Sequence, residues 1–141
     1  MDLDHGWRFH FGISEGAQQP AFDDAGWETV DLPHTWNAAD GTRKDFRRGT
    51  GWYRLHFPAP ANATGRRSYL RFDNVNTVST IWLNGRELGT HWSATSAFCY
   101  DATPALKPGV DNLLVVRADN TRRDDVPPLE GDFTIFGGIY R

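Results

Sequence analysis

Large apolar side chains recur at every second position along much of this chain, the period of a strand with one buried face. Trp7, Phe9 and Phe11 alternate with Arg8 and His10, and the segment from Glu28 to Leu32 alternates until Pro33 stops it. Between Gly51 and Phe57, the side chains of Tyr53, Leu55 and Phe57 fall on one face and those of Arg54 and His56 on the other. Leu70 and Phe72 share a face within a strand predicted over Arg67 to Val75. The stretch from Ser79 to Gly89 predicts a β-hairpin, because Asn84-Gly85 suits the two positive φ angles of a type I′ turn. A short aromatic strand from Ala97 to Asp101, a near-continuous apolar run from Asn112 to Ala118 and an extended end from Gly138 to Arg141 complete the pattern.

The connections have their own signals. Gly12 to Pro20 is rich in Gly, Ser, Gln and Pro and reads as a surface loop, and Phe22 to Trp27 as a short helical turn pinned by its two aromatics. Ala38 to Thr50 and Pro58 to Gly65 read as further loops, and Thr121 to Phe136 is long enough to be a functional one. About eight strands, with no amphipathic helix of three turns and no internal repeat, predict an all-β protein: a two-sheet antiparallel β-sandwich of the jelly-roll type.

Composition narrows the partners. A chain of 141 residues fits one domain, long enough to bury roughly 68–70% of the surface its unfolded form exposes. A formal charge of −3 argues against nucleic acid and against an anionic membrane surface, and Arg43, Lys44, Arg47 and Arg48 read as a solvated loop. The lone Cys99, set between Phe98 and Tyr100, reads as a small buried hydrophobe. No run approaches the roughly 20 apolar residues of a membrane span. Met1-Asp2-Leu3-Asp4 lacks the basic start of a signal peptide, which leaves the compartment open between the cytoplasm and, with a leader removed, the periplasm or exterior.

Candidate chemistry is sparse. His34 has the side chain of a general base or metal ligand, but no second His, Cys or spaced carboxylate completes a set near it, so its role reads as structural. Glu15, Glu28, Glu87 and Glu130 have no evident partner and read as solvated. The loop Thr121 to Phe136 carries Asp124, Asp125, Glu130 and Asp132, a stiffening Pro127-Pro128 pair, and Phe133 and Phe136, which are costly to leave in water. Its acids match no calcium-loop spacing, so no metal site and no cofactor is expected.

Together, Trp7-Arg8-Phe9, Asp24 with Trp27, Leu32-Pro33-His34-Thr35-Trp36, Gly51-Trp52-Tyr53-Arg54, Phe72-Asp73-Asn74-Val75, Trp82-Leu83-Asn84-Gly85 with Gly89, Val116-Arg117-Ala118-Asp119-Asn120 and Gly137-Gly138-Ile139-Tyr140-Arg141 resemble the N-terminal sugar-binding domain of glycoside hydrolase family 2. That family includes β-galactosidases, β-glucuronidases and β-mannosidases. Asp132-Phe133-Thr134 before Gly137-Gly138 leans towards its β-galactosidase-like members. The resemblance implies that residues 1–141 form one galactose-binding-like jelly roll, followed in the family by an immunoglobulin-like domain and a TIM barrel that this chain does not include. It places the two catalytic glutamates on the barrel, so no catalytic residue is expected here.

The resemblance further implies that Asp132 reaches into the barrel's active site to hydrogen-bond the sugar; the plainer reading is that the loop's acids only solubilise it. The partners would be a β-glycoside, through the complete enzyme, and the catalytic domains. A docking surface left bare in the chain alone predicts self-association into homo-oligomers. Sugar rings stack on aromatic faces, and among Trp36, Trp52, Trp82 and Trp92 the one past the hairpin, Trp92, is the best exposed candidate for substrate binding. A free-standing carbohydrate-binding module and a purely structural interface domain are the alternatives.

Overall fold

The computed structural model describes residues 1–40, 46–93, 95–126 and 136–140. Its spine is a pair of nine-residue antiparallel strands, β4 (Thr50–Pro58) and β10 (Asp111–Asp119). Register places Leu114 opposite Leu55 and Val116 opposite Tyr53. Because side chains alternate along a strand, these four point to the same face, and all of them are buried in one core.

Around this pair a six-stranded sheet forms in the order β2-β1-β4-β10-β7-β8. The added strands are β1 (Trp7–Phe11), β2 (Glu28–Val30), β7 (Val78–Leu83) and β8 (Arg86–Trp92). Strands β7 and β8 are the hairpin expected from the sequence: Leu83 pairs with Arg86, and Asn84 and Gly85 have φ of 53° and 81°. A shift in register after Ile81 fits Leu88 in as an extra residue, a bulge that bends the edge strand.

The second layer is split. One part is the sheet β3 (His34–Thr35), β11 (Gly138–Ile139) and β6 (Val75–Asn76); the other pairs β5 (Tyr69–Phe72) with β9 (Phe98–Asp101). Val75, Ile139 and Phe72 from these sheets meet Trp7, Phe9, Tyr53, Leu55 and Ile81 in a single apolar cluster. The protein is an antiparallel β-sandwich, as the alternating pattern predicts, with eleven strands among the described residues where about eight were expected. The difference lies in short pieces: the strand expected from Arg67 to Val75 divides into β5 and β6 because residues 73 and 74 leave the ladder.

Three expectations are corrected. Cys99 is exposed, since the inward positions of β9 go to its neighbours Phe98 and Tyr100, which pack against the core. Phe22 to Trp27 forms turns and no helix. Gly12 to Pro20 is more than a surface loop: its Ala17 is fully buried on the outer face of the large sheet, beside Trp52, Leu113 and Val115, with Phe22, Trp27 and Trp82 packed around them. That cover explains the continuous apolar run of β10, which is buried on both faces.

Arg54 holds the cover in place. It projects from the outer face of β4, is 1% exposed, and donates from Nε to the Asp24 carboxylate at 2.6 Å. Its other nitrogens donate to the carbonyls of Ala17, Gln19 and Phe22.

Candidate functional site

One end of the sandwich gathers the groups that could serve a ligand. Thr50 at the start of β4 pairs with Asp119 at the end of β10, Asp119 with Val78, and Val78 with Trp92. The chain leaves this rim after Asn120 and comes back to it at Gly137, just before β11, and Asn37, Arg47 and Gly49 lie against it.

Asn37 joins these segments. It is fully buried, and all four of its hydrogen-bonding positions are used. Nδ2 donates to Asp40 Oδ2 at 2.6 Å and to the Arg47 carbonyl at 2.7 Å; Oδ1 accepts from the Gly137 N–H at 2.8 Å and from Asn120 Nδ2 at 3.3 Å. Asp40 Oδ2 also accepts from the Arg47 N–H, and Asn120 Oδ1 from the Gly49 N–H. Trp36, the preceding residue, buries its indole against Phe9 and Phe11.

The basic residues of this region are less free than a solvated loop implies. The Arg47 guanidinium lies 4.1 Å from the Phe11 ring centroid and donates to the Trp36 carbonyl. Arg48 covers Phe46 and donates to the Asn120 carbonyl. Arg43 and Lys44 lie outside the described residues. Phe46 in turn meets Phe136 edge-on at 5.4 Å, so this aromatic of the long loop finds its partner within the domain.

His34 sits at the inner edge of the rim. Its Nδ1 and the Tyr53 hydroxyl share a hydrogen bond of 2.8 Å, and Phe9 packs on the ring. Burial lowers its pKa from the ordinary 6.5, against a smaller opposing pull from Glu28, and burial raises that of Tyr53 well above 10. A neutral imidazole bonded to an un-ionised phenol is a packed pair, in keeping with the structural role expected of His34.

The sign of the resulting pH effect is fixed. Because the folded pKa of His34 lies below the unfolded one, the unfolded chain binds more protons as pH falls under about 6.5. Stability from this group is complete above that pH and is lost as pH falls through the folded value. Chemical denaturation from pH 7.5 downward should show this decline, and His34→Asn should make it shallower. His91, also lowered by burial, leaves a residual slope in the variant.

Of the two predicted substrate-binding residues, Asp132 lies outside the described residues, as do Glu130 and Phe133. Trp92 is on the rim and 52% exposed. Arg123 covers part of it, with its guanidinium 4.6 Å from the ring centroid and paired to the Asp125 carboxylate. The other tryptophans named as platforms are withdrawn from solvent: Trp36 and Trp52 are below 10% exposed and Trp82 is half-buried and stacked on Trp52. Glu15, Glu28 and Glu87 are exposed, as expected. Among the described residues, no group of three His, Cys, Asp or Glu could hold a metal ion, and no helix is long and apolar enough to cross a membrane. Sequence reasoning missed Asn37 and Asn120 as organisers of the rim; a strand-ending Asn reads as a turn residue until its buried partners are seen.

Known proteins share this fold. Residues 3–141 match the family described as "Glycosyl hydrolases family 2, sugar binding domain". A β-glucuronidase of Bacteroides fragilis is 38% identical over 99% of this chain and 19% of its own length, and a β-galactosidase of Bacteroides ovatus is 35% identical over 99% and 17%. The crystal structure of a β-glucuronidase from Bacteroides uniformis superposes with a TM-score of 0.93 at 40% identity, covering all of this chain and 17% of that one. The chain thus spans less than a fifth of the length of these relatives. It belongs to family 2 of the glycosyl hydrolases, as the sugar-binding domain.

Proposed function

We propose that this chain is a non-catalytic domain of a family 2 glycoside hydrolase acting on β-glycosides such as β-glucuronides or β-galactosides. It packs on the parent enzyme's catalytic domains and lends the loop 121–136 to the sugar site. The observation that supports this most is the coverage: whole-chain similarity to β-glucuronidases and β-galactosidases that are more than five times longer. In this reading the Asp132 carboxylate accepts hydrogen bonds from sugar hydroxyls, for which an ionised acceptor is well suited. Trp92 offers an apolar face to the ligand beside the root of that loop.

The test is made in the complete enzyme. A hydrogen bond to a charged group contributes about 1.5–3 kcal/mol, so Asp132→Ala should lower kcat/KM by roughly 10- to 150-fold. Trp92→Ala should raise KM by a smaller factor. Unchanged turnover in Asp132→Ala would leave a purely structural interface domain. Calorimetric titration of the isolated chain with galactosides and glucuronides separates off the carbohydrate-binding module, which alone predicts heat at millimolar sugar.

A further inference from the structure

We propose that Asn37 is a positioning residue for the sugar-contacting loop: it ties the chain entering and leaving segment 121–136 to one buried amide, and so sets where Asp132 is delivered. The inference rests on the role given to Asp132 above. It adds a residue that makes no contact with the sugar.

The geometry supporting it is specific. Asn120 follows the last residue of β10 and precedes the loop, and Gly137 follows the loop and precedes β11. Asn37 Oδ1 accepts from both, from the Asn120 side chain at 3.3 Å and the Gly137 backbone at 2.8 Å. The partners are 83 and 100 residues away in sequence, so no local turn would bring them together. The same amide's two N–H groups are held by Asp40 and the Arg47 carbonyl, which fixes its plane and leaves Oδ1 one direction to point. Asparagine suits the position because it offers two donors and an acceptor with two lone pairs in one short rigid group. Aspartate would lack the donors, and alanine would leave the Gly137 N–H without a side-chain partner and the Arg47 carbonyl with only the longer bonds from Trp36 Nε1 and Asn120 Nδ2, each 3.3 Å.

The loop's returning end is held a second way. Asn76 Nδ2 donates to the Phe136 carbonyl and Thr35 Oγ1 to the Gly137 carbonyl, but both bonds lie within the small sheet β3-β11-β6. The Asn37 side chain, by contrast, ties that returning end both to the departing one, through Asn120, and to Asp40 and Arg47 beside it. Small displacements of a binding group are expensive in catalysis: a shift of about 1 Å can cost on the order of 100-fold.

The experiment is a double-mutant cycle in the complete enzyme, with kcat/KM for a β-glycoside as the readout. Asn37→Ala should reduce kcat/KM by about tenfold in the wild-type background, and by less than about twofold when Asp132 is already alanine, because residues acting through one another are not additive. If Asn37→Ala does not fold, Asp40→Ala serves in the same cycle: it removes the acceptor that orients the amide while emptying only a half-exposed position. An equal fall in both backgrounds would make the role of Asn37 structural alone and overturn the proposal, as would no fall at all. In either event a large effect of Asp132→Ala by itself would leave the reading of Asp132 intact. If Asp132→Ala is silent, that reading fails and this proposal with it.

Discussion

Arg54→Met should destabilise the domain by about 3–5 kcal/mol, the cost of stripping one partner from a buried ion pair. Against a total stability of about 5–15 kcal/mol, such a loss approaches complete unfolding. The removed guanidinium serves the Asp24 carboxylate and the carbonyls of Ala17, Gln19 and Phe22 at once. Methionine matches much of its length but can donate to none of them, so each acceptor must find water or remain unsatisfied. Once those carbonyls let go, the cover over Trp52, Leu113 and Val115 loosens and apolar surface is exposed as well. Arg54→Lys should recover only part of the loss, because a single ammonium cannot span four acceptors arranged around a planar fork.

The matching control lies two residues along the same face. His56 also pairs with an aspartate, Asp111, at 2.6 Å, but both side chains are more than half exposed. Exposed ion pairs contribute about 0–1 kcal/mol, so His56→Ala should change stability by no more than that. Urea denaturation followed by tryptophan fluorescence measures both variants. Similar small losses for the two positions would show that burial, and with it the role assigned to the cover, does not distinguish them.

This pair of residues also marks how far the sequence could be read. Alternation puts Arg54 and His56 on the face opposite Tyr53 and Leu55, and the structure agrees. Alternation does not say what covers that face. The cover comes from Ala17 to Trp27, a stretch whose glycine, proline and aspartates signal turns, and turn chemistry is silent about what a loop lies upon. The hairpin was legible to the residue because Asn84-Gly85 constrains the backbone locally. Asn37 was not, because its partners Asn120 and Gly137 become neighbours only when the sandwich closes. Length and composition alone mark the 121–136 loop as a candidate for function, and what local physics does not supply is a role for Asp132, which only the family resemblance implies.

A second large effect should come from the slot that holds Trp36. A methyl group added at Gly51 would come within 2.5 Å of this indole, and one added at Gly137 would fall deeper still into the same ring. The backbone at Gly137 is ordinary, unlike that of Gly138 with its φ of +151°, so substitution at Gly137 is opposed by space and not by conformation. Gly137→Ala should therefore cost at least the upper end of the usual overpacking range of about 1–3 kcal/mol. Strand β11 cannot simply move away, because Asn37 holds the Gly137 N–H and Thr35 its carbonyl. Trp36→Ala should cost about 3–5 kcal/mol for the opposite reason, a cavity left between two glycines. The two changes should compensate: with the indole gone, adding the methyl at Gly137 should cost less than about 0.5 kcal/mol, a coupling large enough to measure against the usual 0.5–3 kcal/mol for residues in contact. Additive losses in the double variant would mean that the glycine is required for something other than room for the ring.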